Sequence, residues 1–350
     1  MSSVSVIGAG FSGMSAAACL AKAGYDVTVF EKLDQPGGRA RQLKEGGFVF
    51  DMGPSWYWMP DVFEKYFQLF NKKPGDFYQL KRLDPSYRIF FSETDIIDVP
   101  AGEEALCNLF EQREAGSAAQ LKAYLADAAY KYKVGIDKLV YKPGVSVTEL
   151  FDPDIAKGFF KLDLLTSLSK SIRKRFRDPN LIQLMEFPAL FLGATAADTP
   201  ALYSLMNYAD ISLGTWYPMG GIYSVVEAMY QTARDQGVKF AFNSEVGALN
   251  VRDKRIASMQ VNGKSIPSDF VVCSADYHHV EQNLLPADAR VYSEKYWNTR
   301  AMAPSALIFY VGVNKPLKNL IHHNLFFDKS FEKHADAIYT DPKWPADPLL

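Results

Sequence analysis

The segment VSVIGAGFSGMSAAACLAKAGYDVTVFEK, residues 4–32, constrains the fold more than any other part of the sequence. An apolar run, a glycine turn, a stretch of small residues and a second apolar run predict strand, turn, helix and strand. The turn from Gly8 to Gly13 has the spacing GxGxxG. Such glycines permit the tight turn, the approach of the backbone to a pyrophosphate and close packing of helix on sheet. The segment therefore predicts an α/β fold with a dinucleotide at the helix N-terminus.

Two further features make the dinucleotide interpretation more specific. Glu31 closes the second strand, where a carboxylate can accept hydrogen bonds from both ribose hydroxyls. Pro36-Gly37-Gly38-Arg39 follows, and a guanidinium held by a glycine turn near the pyrophosphate suits FAD. The sequence has no second GxGxxG, which argues against a reductase that binds two nucleotides. A glycine turn that binds no ligand is the less specific alternative.

The bulk composition argues against several functional classes. The 350 residues include 38 Lys and Arg against 40 Asp and Glu, which gives no reason to expect nucleic acid. Three cysteines without a CxxC pair argue against a disulfide scaffold and suit a reducing compartment. The pairs His278-His279 and His322-His323 lack completing ligands, so we expect no metal site. The N-terminus does not resemble a signal peptide, and no segment offers the uninterrupted apolar run of a transmembrane helix.

The patterns along the chain predict two domains, one inserted into the other. An α/β pattern occupies residues 1–75 and returns over residues 215–282. Short strands followed by several helices occupy residues 76–214, and we assign residues 283–350 to the same second domain. We therefore expect a discontinuous nucleotide-binding domain with an inserted α+β, largely helical substrate domain.

Several separated motifs resemble the flavin amine oxidase superfamily and, within it, the bacterial-type phytoene (carotenoid) desaturases. These motifs are GAGFSG, EKLDQPGGRARQLKEGGFVFDMGPS and ATAADTPALYSLMNYADISLGTWYPMGGIYSVVEAM. The resemblance runs through most of the chain and implies a Rossmann-like, glutathione-reductase-like domain that binds FAD in an extended form. Such proteins usually close the flavin site with a C-terminal glycine-rich motif. None follows Asp276, so we expect this closing segment to be absent from the sequence.

The resemblance also assigns individual residues. It implies FAD contacts for Gly8, Gly10, Phe11, Ser12, Gly13, Glu31, Lys32, Gly37, Gly38, Arg39, Gly53, Pro54, Ser55 and Val246. It implies a substrate-cavity wall made of Trp56, Tyr57, Trp58, Trp216, Tyr217 and Met219. Aromatic side chains offer large apolar area with little rotamer entropy, although ordinary core packing is the alternative for each of them. Asp198 is the carboxylate selected as a candidate catalytic base, while the flavin itself accepts the hydride.

The expected function is FAD-dependent desaturation of phytoene or a related carotenoid, with loss of a hydride and a proton to extend the conjugated polyene. Quinone or oxygen would then reoxidise the flavin. Three alternatives stay open. They are a desaturase of a later, hydroxylated or partly desaturated carotenoid, a flavin amine oxidase, and a non-enzymatic prenyl-binding relative of the same fold.

The basic stretch KSIRKRFR, residues 170–177, bears on membrane attachment. A basic amphipathic helix can lie on an anionic membrane surface, and a solvated charged helix face is the alternative. Because carotenoids reside in the bilayer, we expect a cytoplasmic protein that attaches peripherally to a membrane.

Overall fold

The computed structural model describes residues 1–142, 145–146, 162–300, 302–303, 305–346 and 348. A part of the predicted second domain, residues 143–144 and 147–161, lies outside the described residues. The strands are β1 (Ser3–Ile7), β2 (Asp26–Phe30), β3 (Gln42–Glu45), β4 (Phe48–Asp51), β5 (Leu80–Arg82), β6 (Tyr87–Phe90), β7 (Ile96–Val99), β8 (Trp216–Pro218), β9 (Lys239–Ala241), β10 (Val246–Arg252), β11 (Arg255–Val261), β12 (Lys264–Pro267), β13 (Phe270–Cys273) and β14 (Asn324–Phe326). The helices are α1 (Phe11–Lys22), α2 (Pro60–Gln68), α3 (Glu103–Arg113), α4 (Ser117–Val134), α5 (Leu168–Arg173), α6 (Pro179–Glu186), α7 (Leu205–Asn207), α8 (Tyr223–Asp235), α9 (Tyr277–His279), α10 (Glu294–Asn298) and α11 (Phe331–Ala335).

The described residues form two compact units. The first contains residues 1–81, 217–302 and 308–312, and the second contains residues 82–216, 303–307 and 313–350. Residues 283–302, which the sequence pattern assigned to the second domain, therefore lie in the first unit. The buried carboxylate of Glu281 holds them there, because it accepts hydrogen bonds from the backbone N–H groups of Val291 and Tyr292. The assignment of the cofactor to one domain and the substrate to the other stays a prediction.

A four-stranded parallel sheet of order β13-β1-β2-β9 organises the first unit. The apolar run that predicted the first strand buries Val4 and Val6, and the second run buries Val27 and Val29. The side chains of α1 that join this core are small, Ala17 and Ala18 among them, so the helix can lie close to the sheet. The predicted order of strand, glycine turn, helix and strand is thus present at β1, α1 and β2.

Two antiparallel elements complete the part of the first unit that bears on the site. Strands β10, β11 and β12 form a sheet whose buried Val246, Leu249 and Met259 share a core with Ile7 and Phe30. Strands β3 and β4 form a hairpin in which Gln42 pairs with Asp51. The turn of this hairpin, Gly46-Gly47, has positive φ at both residues, as glycine readily allows. The hairpin therefore carries the chain from the second glycine motif to the DMGPS motif.

The second unit combines the sheet β14-β6-β7 with helices α3 to α7 and α11. Its interior holds a carboxylate, that of Asp210, which is only 3% exposed. The hydroxyl of Tyr87 donates a hydrogen bond to it at 2.7 Å, and the hydroxyl of Thr215 donates another at 2.9 Å. Burial penalises the charged carboxylate and raises its pKa to about 6, although both hydrogen bonds act in the opposite direction.

The basic stretch at residues 170–177 is partly neutralised within the second unit. Arg173 forms an ion pair with the buried Glu186 at 3.1 Å, and Arg175 forms one with Asp127 at 2.9 Å. These contacts favour the alternative in which the stretch is a charged face of the folded unit. Among the described residues, no helix combines the length and the apolar character needed to cross a bilayer.

The raised pKa of Asp210 predicts a pH-dependent effect of Asp210→Asn. Below its ordinary pKa of 3.8, the carboxyl of Asp210 is neutral in both the folded and the unfolded protein. As the pH rises, the unfolded protein ionises first, so the free energy of unfolding of the wild type falls until the pH passes about 6. Asparagine cannot ionise, so the free energy of unfolding of the variant minus that of the wild type should increase by about 2–3 kcal/mol from pH 4 to pH 7. Denaturant titration of both proteins across this range measures the difference. A difference that does not change with pH would contradict the buried, ionisable state of Asp210.

Candidate functional site

The glycine turn between β1 and α1 leaves open space at one glycine and none at another. A Cβ on Gly10 would have no atom within 4 Å, whereas a Cβ on Gly13 would lie 2.0 Å from the carbonyl oxygen of Gly8. Gly8 itself has φ +97°, which favours glycine. Helix α1 has neither a side-chain cap nor an acidic residue in its first turn. Its N-terminal N–H groups and partial positive charge therefore suit an anion such as a phosphate.

A buried carboxylate closes this turn from the neighbouring strand. Glu31 is 5% exposed, and its two oxygens accept hydrogen bonds from the N–H of Ala9 at 2.7 Å and of Leu33 at 3.0 Å. Its backbone carbonyl accepts another from the N–H of Ser244 at 2.8 Å, which brings the start of β10, and with it Val246, to the same end of the sheet. A carboxylate has about four lone-pair sites, so capacity remains for the two ribose hydroxyls.

The second glycine motif packs directly against the first. The N–H of Gly37 donates to the carbonyl oxygen of Ala9 at 2.8 Å, and Gly37 has φ +118°. A Cβ on Gly38 would approach the Cα of Gly10 at 3.3 Å. The structure therefore brings the two glycine motifs, which are about 25 residues apart in the sequence, into one backbone-lined concavity.

The cationic side chains of this region point to solvent. Arg39 has a side chain that is 93% exposed and lies 3.8 Å from the carboxylate of Asp276. An exposed ion pair of this kind contributes little to folding stability. Lys32 is also exposed. Both predicted FAD contacts are thus accessible and do not pack in the core.

The DMGPS turn reaches the same region from the end of β4. Gly53 has φ +116°, and a Cβ there would lie 2.3 Å from the carbonyl oxygen of Arg39. Only glycine allows the two backbones to pass this closely. Gly53 and Pro54 are exposed, and Ser55 is half-buried. The structure thus places the three predicted ring-contacting residues beside the second glycine motif.

Sequence reasoning missed the contacts of Asp51, the first residue of this motif. Its carboxylate accepts hydrogen bonds from the N–H of Ile222 at 2.7 Å and from the N–H of Tyr223 at 3.1 Å, at the start of α8. The available signal was a helix that follows Gly220-Gly221 without a polar N-cap residue of its own. Such a helix needs an acceptor from elsewhere in the chain.

The predicted cavity residues divide into exposed and buried members. Trp56 and Trp58 are half-buried and pack edge to face with ring centroids 5.3 Å apart. Tyr57 is buried, stacks on Phe63 at 4.6 Å, and has its hydroxyl 3.0 Å from that of Tyr78. Burial raises the pKa of Tyr78 to about 12 and that of Tyr57 further. Core packing therefore accounts for Tyr57, and its role in a cavity wall stays a prediction.

The remaining cavity residues lie in different units. Tyr217 and Met219 belong to the first unit, half-buried and exposed respectively. Trp216 belongs to the second, where its indole N–H donates to the carbonyl oxygen of Leu213 at 2.8 Å. A surface pocket of about 430 Å³ in the first unit, lined by residues such as Glu64, contains none of the predicted cavity residues.

Asp198, the candidate base, lies in the second unit and is exposed. Its carboxylate accepts a hydrogen bond from the hydroxyl of Thr195 at 2.7 Å, and its N–H donates to the same hydroxyl oxygen at 3.2 Å. This arrangement is a local turn, and the catalytic role stays a prediction. Over the part of the chain that the structure describes, no group of three or more His, Cys, Asp and Glu side chains could hold a metal ion.

Comparison with known proteins assigns the chain to a family. Residues 11–342 match the family of flavin-containing amine oxidoreductases. The carotenoid 3,4-desaturase of Haloarcula japonica is 39% identical over 346 residues, which are 99% of this chain and 70% of that protein. The chain belongs to the carotenoid desaturases of the flavin amine oxidoreductase family. A second desaturase, the zeta-carotene-forming phytoene desaturase of Myxococcus xanthus, is 30% identical over 344 residues, 98% of this chain and 66% of that protein.

The fold is shared more widely than the sequence. An oxidoreductase from Methanosarcina mazei superimposes with a TM-score of 0.56 at 16% identity, covering 85% of this chain and 64% of that one. This likeness supports a mixed α/β fold of the amine oxidoreductase type. The desaturase-family chain described here spans between 64% and 70% of the length of these three proteins.

The cofactor of this desaturase family member is FAD. The residues present fit it on three observations: the open space at Gly10, the uncapped N-terminus of α1, and the buried carboxylate of Glu31. The two glycine motifs add a backbone surface that a side chain would fill. The expected FAD-binding character of the first unit is therefore consistent with its own geometry.

Gly10 and Gly13 should respond differently to alanine. Gly10→Ala meets open space at φ −76°, so we expect a melting temperature close to wild type with FAD affinity reduced about tenfold or more, because the methyl group occupies the phosphate position. Gly13→Ala forces α1 off the Gly8 carbonyl and should lower the free energy of unfolding by about 2–3 kcal/mol. Thermal unfolding without FAD and flavin-fluorescence titration separate the two effects. Equal destabilisation by both changes would contradict the assigned roles.

Arg39→Ala tests the second glycine motif. The side chain is almost fully exposed, so the fold should stay intact, while loss of a charge-assisted contact to the pyrophosphate should release FAD more readily. Dissociation of FAD, followed by the rise in free flavin fluorescence, measures this, and Lys44→Ala provides an exposed cation of β3 without a predicted FAD contact for comparison. Unchanged FAD affinity in Arg39→Ala would contradict the assignment.

Proposed function

We propose that this chain carries out FAD-dependent desaturation of a carotenoid, most directly of one that is already partly desaturated. The observation that supports this choice is the 39% identity, over 99% of the chain, to a protein named carotenoid 3,4-desaturase. The identity to the phytoene desaturase is lower, at 30%. Phytoene is therefore the second candidate substrate, and it was the first expectation from the sequence motifs.

In this proposal the first unit is a Rossmann-like domain that holds FAD in an extended form. The turn Gly8–Gly13 and the N-terminus of α1 bind the pyrophosphate, Glu31 accepts the ribose hydroxyls, and Val246 meets the adenine through its backbone. The exposed guanidinium of Arg39 adds a cation at the pyrophosphate, and Gly53–Ser55 face the flavin ring. When bound, FAD supplies the acceptor for the hydride that leaves a saturated carbon beside a double bond.

The chain's own contribution to the substrate is apolar surface. A polyene offers no polar handle, so its binding depends on burial of apolar area at roughly 25 cal/mol per Å². The half-buried rings of Trp56, Trp58 and Tyr217 suit this role, because part of each ring remains uncovered. We assign Met219 to the same wall, and the cavity role of Trp216, in the second unit, stays a prediction. Asp198 is proposed as the base that takes up the proton, and its exposed carboxylate can pass that proton to solvent.

Membrane attachment and the final electron acceptor complete the proposal. A carotenoid substrate reaches the cavity without crossing water if the protein lies on a membrane, so we propose a cytoplasmic, peripherally attached enzyme. Lys170, Lys174 and Arg177 are exposed in the basic stretch and can face anionic lipid. Quinone or oxygen is proposed to reoxidise the flavin.

The deciding experiment supplies the FAD-loaded protein with liposomes that contain either phytoene or a linear carotenoid with more conjugated double bonds. Each added double bond lengthens the polyene, so a red-shifted absorption spectrum and a new chromatographic peak identify the product. We expect conversion of the more conjugated substrate to exceed that of phytoene, with Gly10→Ala as the FAD-poor control. Peroxide release with amines, and no product from either carotenoid, would favour the amine oxidase alternative and overturn the proposal.

A further inference from the structure

Two motifs from distant parts of the sequence meet at the carboxylate of Asp51. This residue ends β4, and its oxygens accept the backbone N–H groups of Ile222 at 2.7 Å and Tyr223 at 3.1 Å. Its partners lie 171 and 172 residues away, directly after Gly220-Gly221. The contact thus joins the DMGPS turn to the start of α8 within the first unit.

Helix α8 depends on this remote acceptor. Its N-cap residue is Ile222, whose side chain cannot accept a hydrogen bond, and its first turn contains no acidic residue. The first N–H groups of a helix have no partners within the helix and carry a partial positive charge. A carboxylate at this position satisfies two of them and is favoured by the helix dipole.

The surrounding chain leaves room for this carboxylate and for little else. Gly221 has φ +102°, and a Cβ there would lie 2.8 Å from one oxygen of Asp51. The phenol of Tyr217 is also hydrogen-bonded to Asp51. Burial raises the pKa of Tyr217, and the negative charge of Asp51 raises it further, so the phenol stays protonated and acts as a donor. Three donors therefore converge on one side chain.

The same residue fixes the turn that follows it. The N–H of Met52 donates to the carbonyl oxygen of Arg41 at 2.8 Å, and Gly53 packs against the carbonyl of Arg39. The DMGPS turn is thus held on one side by the second glycine motif and on the other by α8 through Asp51. Without the carboxylate, only the first of these attachments remains.

We propose that Asp51 is a positioning residue of the flavin site, which sets the place of the Gly53–Ser55 turn and of the Tyr217 hydroxyl relative to the cofactor. The inference rests on the proposed function, because that proposal puts Gly53–Ser55 at the flavin ring. Asp51 acts through the turn and the phenol, and it touches neither substrate nor cofactor. Its two oxygens accept hydrogen bonds from the three protein donors described above.

The test replaces Asp51 by asparagine, which keeps the shape but turns an amide donor toward groups that also donate. We expect FAD affinity to fall about tenfold and the visible circular dichroism of the bound flavin to change, because the turn at the ring shifts. Asp178→Asn is the matched control. Asp178 caps α6 in the second unit by accepting the N–H groups of Asn180 and Leu181 at 2.8 and 3.0 Å. This control should lower the melting temperature and leave FAD affinity and flavin dichroism unchanged.

A second variant tests the inference even if Asp51→Asn fails to fold. Tyr217→Phe removes one donor and leaves both helix contacts in place, so it should fold, alter the flavin dichroism and show a smaller loss of affinity. The double variant should lose less affinity than the sum of the single losses, because both changes act on one hydrogen-bonded group.

The outcomes separate this inference from the proposed function. If Asp51→Asn and Tyr217→Phe leave FAD affinity and flavin dichroism at wild-type values, Asp51 is only a helix cap and the inference is overturned. If the wild type binds FAD but desaturates no carotenoid, the proposed function fails while the affinity and dichroism data still decide the role of Asp51. A wild type that takes up no FAD overturns both.

Discussion

The carboxylate of Glu31 is the interaction on which the arrangement of the first unit depends. It is buried, it directly follows β2, and it accepts hydrogen bonds from the N–H groups of Ala9 in the first glycine turn and of Leu33 beyond the strand. The backbone of the same residue continues the contact to β9 and to Ser244 ahead of β10. A buried charge is tolerated only when its hydrogen-bonding capacity is used. The glycine turn, the sheet and the start of β10 are therefore organised around Glu31.

The sequence predicted those features whose cause is local. The alternation of apolar residues and the glycine spacing predict β1, α1 and β2, because each depends on neighbours within a few residues. The contacts of Asp51 were missed because its partners are 171 and 172 residues away, and no local pattern indicates them. The buried Asp210 was missed for the same reason, since Tyr87 lies 123 residues before it. Charge patterns have a similar limit: KSIRKRFR shows the cations, whereas their partners Asp127 and Glu186 come from other helices.

The aromatic stretch shows why composition alone could not separate buried rings from half-buried ones. The rings of SWYWMP precede the helix α2, which begins at Pro60. Tyr57 is buried beside Tyr78, whereas Trp56 and Trp58 pack on each other and remain half-buried. All three rings are large and apolar, so their type predicts burial equally well for each. Only the packing of the folded chain separates the buried ring of Tyr57 from the two half-buried rings.

The remote cap of α8 couples two elements that would otherwise open separately. The first amides of a helix normally fray and exchange their hydrogens rapidly with solvent. Here the amides of Ile222 and Tyr223 are held by a residue of the β3–β4 hairpin. Their exchange therefore requires either the hairpin or the helix end to detach, and each detachment removes one of the two attachments of the DMGPS turn. Opening of the hairpin and order at the DMGPS turn are thus coupled through the contacts of Asp51.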